Sequence, residues 1–447
     1  MSVGLAIAWV VLGAYDSIQS IQLFLHSDLQ YLPALFDDLA SGGRLDQWAL
    51  THSGYLFPDL LIYSAARVVS SSAHWTFIAV AIALPIATAA LLRVLASRLV
   101  APNAGVQTVA LFSLLLIGMR PGGLDFPTPL VALSDHGGQA LVAVACMCLL
   151  LQASPRRIAV ASLLSLLTSA SNPLFVITSL PALLWLTFRT HQGRTRVLGL
   201  IGLVSACGLG IYLHGLLPIP PQQPLIVPGR SSDALRIFLS RATVAESAPV
   251  VVSLLVGLLA LFVARERNGR TLVVTAWLTV LSSLFGLWLI GAEVGIWKSR
   301  YFVSFWLALT LLVPCGLQVI KWQRAVTTLA VVATILLGLW RVIPLLPNVR
   351  KIGQLKPEPV TCFERAAKRA PLARCVATYW NAKPVAVMAD SKPVVLQIRA
   401  DGVPDWWINT RRHDREGLPI DCAILDQGRP TTSSDASGSR TTGSLVG

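Results

Sequence analysis

The sequence predicts an all-α, polytopic membrane protein with about eleven transmembrane helices and a small mixed α/β module at its C-terminal end. Three observations predict it. Of 447 residues, 54% are hydrophobic and 13% charged, which excludes an ordinary soluble globule. Apolar runs of roughly 15–22 residues succeed one another with short polar connectors between them. Every second connector is compact and rich in arginine.

The runs fall at about 3–25, 75–97, 104–119, 138–153, 158–170, 173–188, 197–216, 248–264, 271–290, 301–320 and 325–345. The basic connectors carry Arg93 and Arg98; Arg156 and Arg157; Arg189, Arg194 and Arg196; Arg265, Arg267 and Arg270; Lys321 and Arg324. Their only acid is Glu266. By the positive-inside rule they face the cytoplasm. Keeping that parity needs two crossings between Arg157 and Arg189, divided near Ser171-Asn172-Pro173. Both are short for a bilayer, so tilted or broken helices beside a cavity are expected.

The remaining connectors, 26–73, 120–137, 217–247, 291–300 and everything past about 346, then face outward. The expected setting is a bacterial inner (plasma) membrane, with active site and C-terminal domain on the periplasmic side. The net charge of +14 comes partly from the anchoring arginines. It therefore points to membrane lipids as partners rather than nucleic acid. The N-terminus lacks a Lys/Arg-rich leader, so a retained first helix is expected. Asp16 within that run is either a polar contact facing the bundle or a sign that the helix begins late.

The C-terminal portion changes character near Pro347. Residues 346–426 form the small domain, and the Gly/Ser/Thr-rich stretch 427–447 is expected to be disordered. Within the domain, Cys362-Phe363-Glu364-Arg365-Ala366-Ala367 looks helical. Val385-Ala386-Val387-Met388 and Val394-Val395-Leu396-Gln397-Ile398 look like strands. Trp406-Trp407-Ile408-Asn409 suits a small core or a sugar-stacking surface. Cys146, Cys148, Cys207 and Cys315 sit in apolar helices, whereas Cys362 and Cys375 suit a disulfide across a short outer loop. No Cys/His spacing resembles a zinc site.

Residues 26–59 need a functional account. They hold five carboxylates (Asp28, Asp37, Asp38, Asp46 and Asp59) and two histidines, His26 and His52. The rest of the first 340 residues contains only seven acids. A hydrophobic bundle has no packing need for such a loop. Asp28, just past a helix end beside His26, is placed to accept a proton from a hydroxyl, or else to cap a surface helix. Asp37 and Asp38 suit substrate or a divalent cation (Mg or Mn), or a solvated helix face; Asp59 lies on the rim. Trp297-Lys298-Ser299-Arg300-Tyr301 places two cations at an outer helix start, where they can clamp a phosphate or anchor headgroups. Arg120 and His136 add polar groups on the same side, Arg120 for the phosphate and His136 for substrate, metal or a helix start. There is no Walker loop, dinucleotide fingerprint or nucleophile elbow.

A polytopic bundle with an acidic first outer loop and the Arg300-Tyr301 pair at a late outer helix start resembles the GT-C superfamily of membrane glycosyltransferases. His26-Ser27-Asp28 is similar to the His-Pro-Asp-Glu start of one eukaryotic branch, with departures at Ser27 and Leu29 that move any second-acid role to Asp37 or Asp38. The resemblance covers roughly residues 1–345. It implies a polyprenyl-phosphate-linked sugar as donor and a glycan or glycolipid as acceptor. Asp28 would then be the base, and Lys298, Arg300 and Tyr301 would hold the carrier phosphate. Two rival readings stay open. One is a transporter or flippase for lipid-linked saccharides, which would use midplane acids such as Asp16. The other is an O-antigen ligase or polymerase using Arg230, Arg236 and Arg241. Single cysteines at 28 and 300 are expected to react with an impermeant maleimide from outside, and one at 194 only after permeabilisation; labelling of 28 and 300 from opposite faces would break the topology.

Overall fold

The computed structural model describes residues 1–51, 53–70, 72–118, 128–131, 133, 136–219, 244–263, 267–290, 303–317, 323–399, 402–405, 408–410, 419–427 and 442–446. The first apolar run gives two helices rather than one, α1 (Ser2–Ala14) and α2 (Ile18–Phe24). The chain breaks between them, and Ser17 Oγ accepts the Ser20 amide at 3.1 Å to start the second. Asp16 lies exposed in this break. Asn348 Nδ2 donates to its carboxylate at 3.2 Å and Lys351 Nζ to its carbonyl at 3.2 Å. It is a helix-end residue, not a midplane acid.

The first loop folds into α3 (Ser27–Ala40), β1 (Trp48–Ala49) and α4 (Leu61–Val69). The bundle continues with α5 (Ala73–Leu99), α6 (Pro102–Gly118), the single turn α7 (Thr128–Val131) and α8 (Gly137–Leu150). Next come α9 (Pro155–Ser171), α10 (Leu174–Thr190) and α11 (Gly193–His214). It closes with α12 (Val244–Val263), α13 (Arg267–Ile290), α14 (Val303–Leu317) and α15 (Gln323–Val342). Ala73–Leu99, Gly193–His214, Arg267–Gly286 and Gln323–Lys351 are long and apolar enough to cross a bilayer, and shorter apolar helices accompany them. The chain is a multi-pass membrane protein.

Many hydroxyls inside the bundle bond their own helix backbone, which suits a medium without water. Thr88, Thr108, Thr168, Ser169, Thr187, Thr275 and Ser283 each donate to the carbonyl four residues earlier. Helices α9 and α11 touch closely because Gly210 has no side chain: a Cβ there would meet the Leu166 carbonyl at 2.7 Å.

Two sets of contacts define the ends of the bundle. At one end the first loop meets the α9–α10 turn and the end of α11: Gly54 N donates to Ser171 O at 2.8 Å and Leu50 N to Pro218 O at 3.0 Å. At the other, His191 Nε2 lies 2.9 Å from Leu150 O, and Arg267 donates to Arg189 O at 3.1 Å. Acid-bearing loop and arginine-bearing turns thus occupy opposite ends, with the break at Asn172-Pro173 as expected.

The C-terminal module contains α16 (Glu358–Ala367), β2 (Arg374–Thr378), α17 (Tyr379–Met388), β3 (Val394–Ile398), β4 (Asn409–Thr410), β5 (Cys422–Gln427) and β6 (Thr442–Val446). Its four-stranded sheet runs β3-β2-β5-β6, and only β6 is antiparallel to its neighbour. The expected strand at 385–388 is instead the end of α17. Parallel β2 and β3 need a crossover helix between them, and a short buried apolar run does not reveal by period which element it forms. Strand β6 also extends the module into the stretch expected to be a disordered tail.

The expected Cys362–Cys375 disulfide is replaced by Cys375–Cys422, and Cys362 is free. Strands β2 and β5 place Cys375 opposite Cys422 in register, with Cα atoms 4.6 Å apart. Cys362 belongs to a different element, α16. Peptide mapping without reductant is expected to find the 375–422 pair and an alkylatable Cys362. Closing a loop with a sequence separation of 47 is worth about 4 kcal/mol in the chain-entropy account, so Cys422→Ser should markedly lower the module's unfolding midpoint.

Candidate active site

Helix α3 starts at the acid-bearing end of the bundle. His26, not Asp28, is its cap: the imidazole Nδ1 accepts the Asp28 amide at 3.2 Å. Asp28 therefore stands in the first turn, where the helix dipole favours a negative charge, and its side chain is half-buried. The Tyr379 hydroxyl donates to Asp28 Oδ1. Ser27 Oγ in turn donates to the Tyr379 carbonyl at 2.7 Å. His26 meets Trp380 edge-on, ring centroids 6.4 Å apart.

One turn along α17, Lys383 is almost completely buried, at 4% exposure. Its ammonium lies 4.7 Å from the centroid of the Tyr379 ring and donates to Gln397 Oε1 at 2.7 Å. Gln397 Nε2 then donates to Asp405 at 2.8 Å. Burial pulls the Lys383 ammonium down to about 7, against the opposing pull of the Asp28 and Asp405 carboxylates. The chain Asp28–Tyr379–Lys383–Gln397–Asp405 joins the first loop to the far end of the sequence.

A second polar group is buried beneath the same loop. Asp59 is 2% exposed and its carboxylate lies against Gly138 in the first turn of α8, where a Cβ would come within 2.7 Å of it. His136, the residue before α8, has φ of 67° and is 4% exposed. Asn172 Oδ1 takes the Leu174 amide at 3.2 Å, which turns its Nδ2 toward His136 Nδ1 at 2.8 Å. His136 Nδ1 also lies 3.4 Å from Gln139 Oε1, and its Nε2 lies 3.4 Å from the Tyr55 hydroxyl. Tyr55 packs edge-on against Tyr31 of α3, so the second group backs directly onto the first helix of the loop.

The other loop acids have local partners. Trp48 Nε1 donates to Asp38 Oδ2 at 2.7 Å, and Gly43 N bonds the Asp38 carbonyl at 2.8 Å. A Cβ at Gly43 would overlap the Asp38 carboxylate, so a larger residue there would push that side chain off Trp48. Asp37 lies 3.7 Å from Arg67 of α4. Among the described residues no group of three His, Cys, Asp or Glu side chains converges. Lys298, Arg300, Tyr301, Arg120 and His52 lie outside the described residues. Sequence reasoning missed Tyr379, Lys383 and Asn172. The available signal was a lysine inside the otherwise apolar Asn381-Ala382-Lys383-Pro384-Val385, which a surface helix would not bury.

No family model and no curated protein matches the chain. Among solved structures it is similar to ArnT from Cupriavidus metallidurans in the apo state, with a TM-score of 0.56 at 12% identity. The match covers 94% of this chain and 93% of that one. The likeness is one of fold, and it extends over nearly the whole length of this chain.

The depressed Lys383 has a consequence for stability. Between about 7 and the ordinary lysine value the unfolded chain binds the proton that the folded one has released, so stability rises with pH through that window. Melting curves of detergent-solubilised protein at pH 7 to 10 should show this rise. Lys383→Met should remove that part of it; a slope identical in both proteins would refute the assignment.

Proposed function

We propose that the chain is an integral-membrane glycosyltransferase of GT-C type. It takes a sugar from a polyprenyl-phosphate-linked donor and passes it to a glycan or glycolipid acceptor on the periplasmic face of a bacterial inner membrane. One observation carries this reading: within a GT-C-type bundle, the half-buried Asp28 opens a helix at the end where the acid-bearing loop gathers, held by a hydroxyl donor.

Asp28 deprotonates the acceptor hydroxyl, which attacks the anomeric carbon from the side opposite the phosphate. A single displacement of this kind inverts the anomeric centre. Arg300 and Lys298, with Tyr301 and Arg120 nearby in the scheme, stabilise the charge growing on the departing polyprenyl phosphate. The lipid tail lies between helices while its head meets the loops. The dipole of α3 supports the ionised form of Asp28 that the reaction needs.

Mass spectrometry of envelope glycans and glycolipids, with and without the gene, is expected to identify the transferred sugar. Complementation with Asp28→Asn should leave the protein inserted yet reduce transfer by about 10²–10⁴-fold. Full activity in that variant would refute the role of Asp28. Arg300→Ala should impair use of the donor by roughly 10²-fold while leaving acceptor dependence nearly unchanged. An equal loss toward both substrates would count against the phosphate clamp.

A further inference from the structure

We propose that the C-terminal module completes the reaction centre, with Tyr379 as the positioning residue that holds the Asp28 carboxylate and Lys383 fixing the tyrosine ring from its far face. This rests on the reading of Asp28 as the base.

Tyr379 is gripped at two points by consecutive residues of α3. Its carbonyl accepts from Ser27 Oγ at 2.7 Å and its hydroxyl donates to Asp28. A tyrosine held at both ends has little rotational freedom, so the oxygen it engages is fixed with it. Behind the ring, Lys383 is locked in turn by Gln397 and, through Gln397, by Asp405. Ordinary packing does not call for a buried lysine here, because a well-packed apolar side chain of similar volume generally serves stability as well or better. The module as a whole is registered on the loop by two further contacts. Strand β1 pairs with β4, Trp48 opposite Thr410, and Ile408 enters the apolar cluster that contains Tyr31 and Trp48.

The physical effect on Asp28 has a definite sign. A hydroxyl that donates to the carboxylate stabilises its ionised form, and a nearby ammonium does the same while protonated. Among the described residues, the ionisable groups that face Asp28 include His26 on its own element, Tyr379 and Lys383 on α17, and Asp405 behind Gln397. Removing the Tyr379 hydroxyl therefore raises the pH at which Asp28 takes up a proton. A base that must be ionised then works only at higher pH.

The test uses the full chain in proteoliposomes and has a readout independent of the reaction. Carbodiimide labelling of the protonated Asp28 carboxyl, followed across pH 3–8 by peptide mass spectrometry, should show its midpoint rise by about one unit in Tyr379→Phe. Lys383→Met should move it in the same direction. In parallel, release of polyprenyl phosphate from a panel of polyprenyl-phosphoryl hexoses and pentoses should show the acid limb of the rate profile moving up with it. The expected cost is about tenfold in kcat with the donor KM unchanged. A role confined to holding the module in place predicts equal loss at every pH and no shift in labelling. An inactive Asp28→Asn combined with unshifted labelling and an unshifted rate profile in Tyr379→Phe overturns the positioning role alone. A fully active Asp28→Asn overturns the assignment of the base, and this proposal with it.

Discussion

The hydrogen bonds between the first turn of α3 and the first turn of α17 are the constraint on which the functional end of this molecule depends. The Ser27 hydroxyl to the Tyr379 carbonyl, and the Tyr379 hydroxyl to Asp28, join positions more than 350 residues apart. Neither partner could be buried alone without leaving a polar group unsatisfied. Each helix is thus the condition for the other's placement. The first loop is tied to a module far along the chain, which offers a carbonyl acceptor to Ser27 and a hydroxyl donor to Asp28.

Around that seam the chain follows the rules of a solvent that offers no hydrogen bonds. Hydroxyls in the bundle return to their own helix backbone, and small residues let α9 and α11 approach. Where polar groups accumulate they do so beneath the loop: His136 ties to Asn172 and Tyr55, and Asp59 lies against Gly138. The pattern separates two kinds of polarity. One kind is absorbed locally for the sake of the helix, and the other is gathered at one end, where a charged or hydroxylated substrate can be met.

Much of this was legible in the sequence. The apolar helices and the break at Asn172-Pro173 follow from hydrophobic length and turn residues, which are local properties. The acid-rich loop was conspicuous because a hydrophobic bundle has no packing need for it. What escaped notice depends on distance along the chain. Cys375 pairs with Cys422 because two parallel strands bring them into register, and nothing local to Cys362 reveals that it is left out. Val385 to Met388 reads as strand or helix equally well until the crossover between β2 and β3 decides it. Asp28 was expected either to cap the surface helix or to act as a base; His26 takes the capping position and leaves Asp28 one step inside. Tyr379 carried no local mark at all.

The two-residue pairing of Trp48–Ala49 with Asn409–Thr410 bears on how the protein is made. By the time the ribosome has finished the membrane helices, the loop that precedes most of them still lacks its partner strand. That strand emerges only after the last of them and, like any contact of such sequence separation, is slow to form. A nascent chain can therefore be fully inserted while its first loop is still unpaired. Truncation of the final forty residues would strand it in that immature condition while sparing every helix that anchors it.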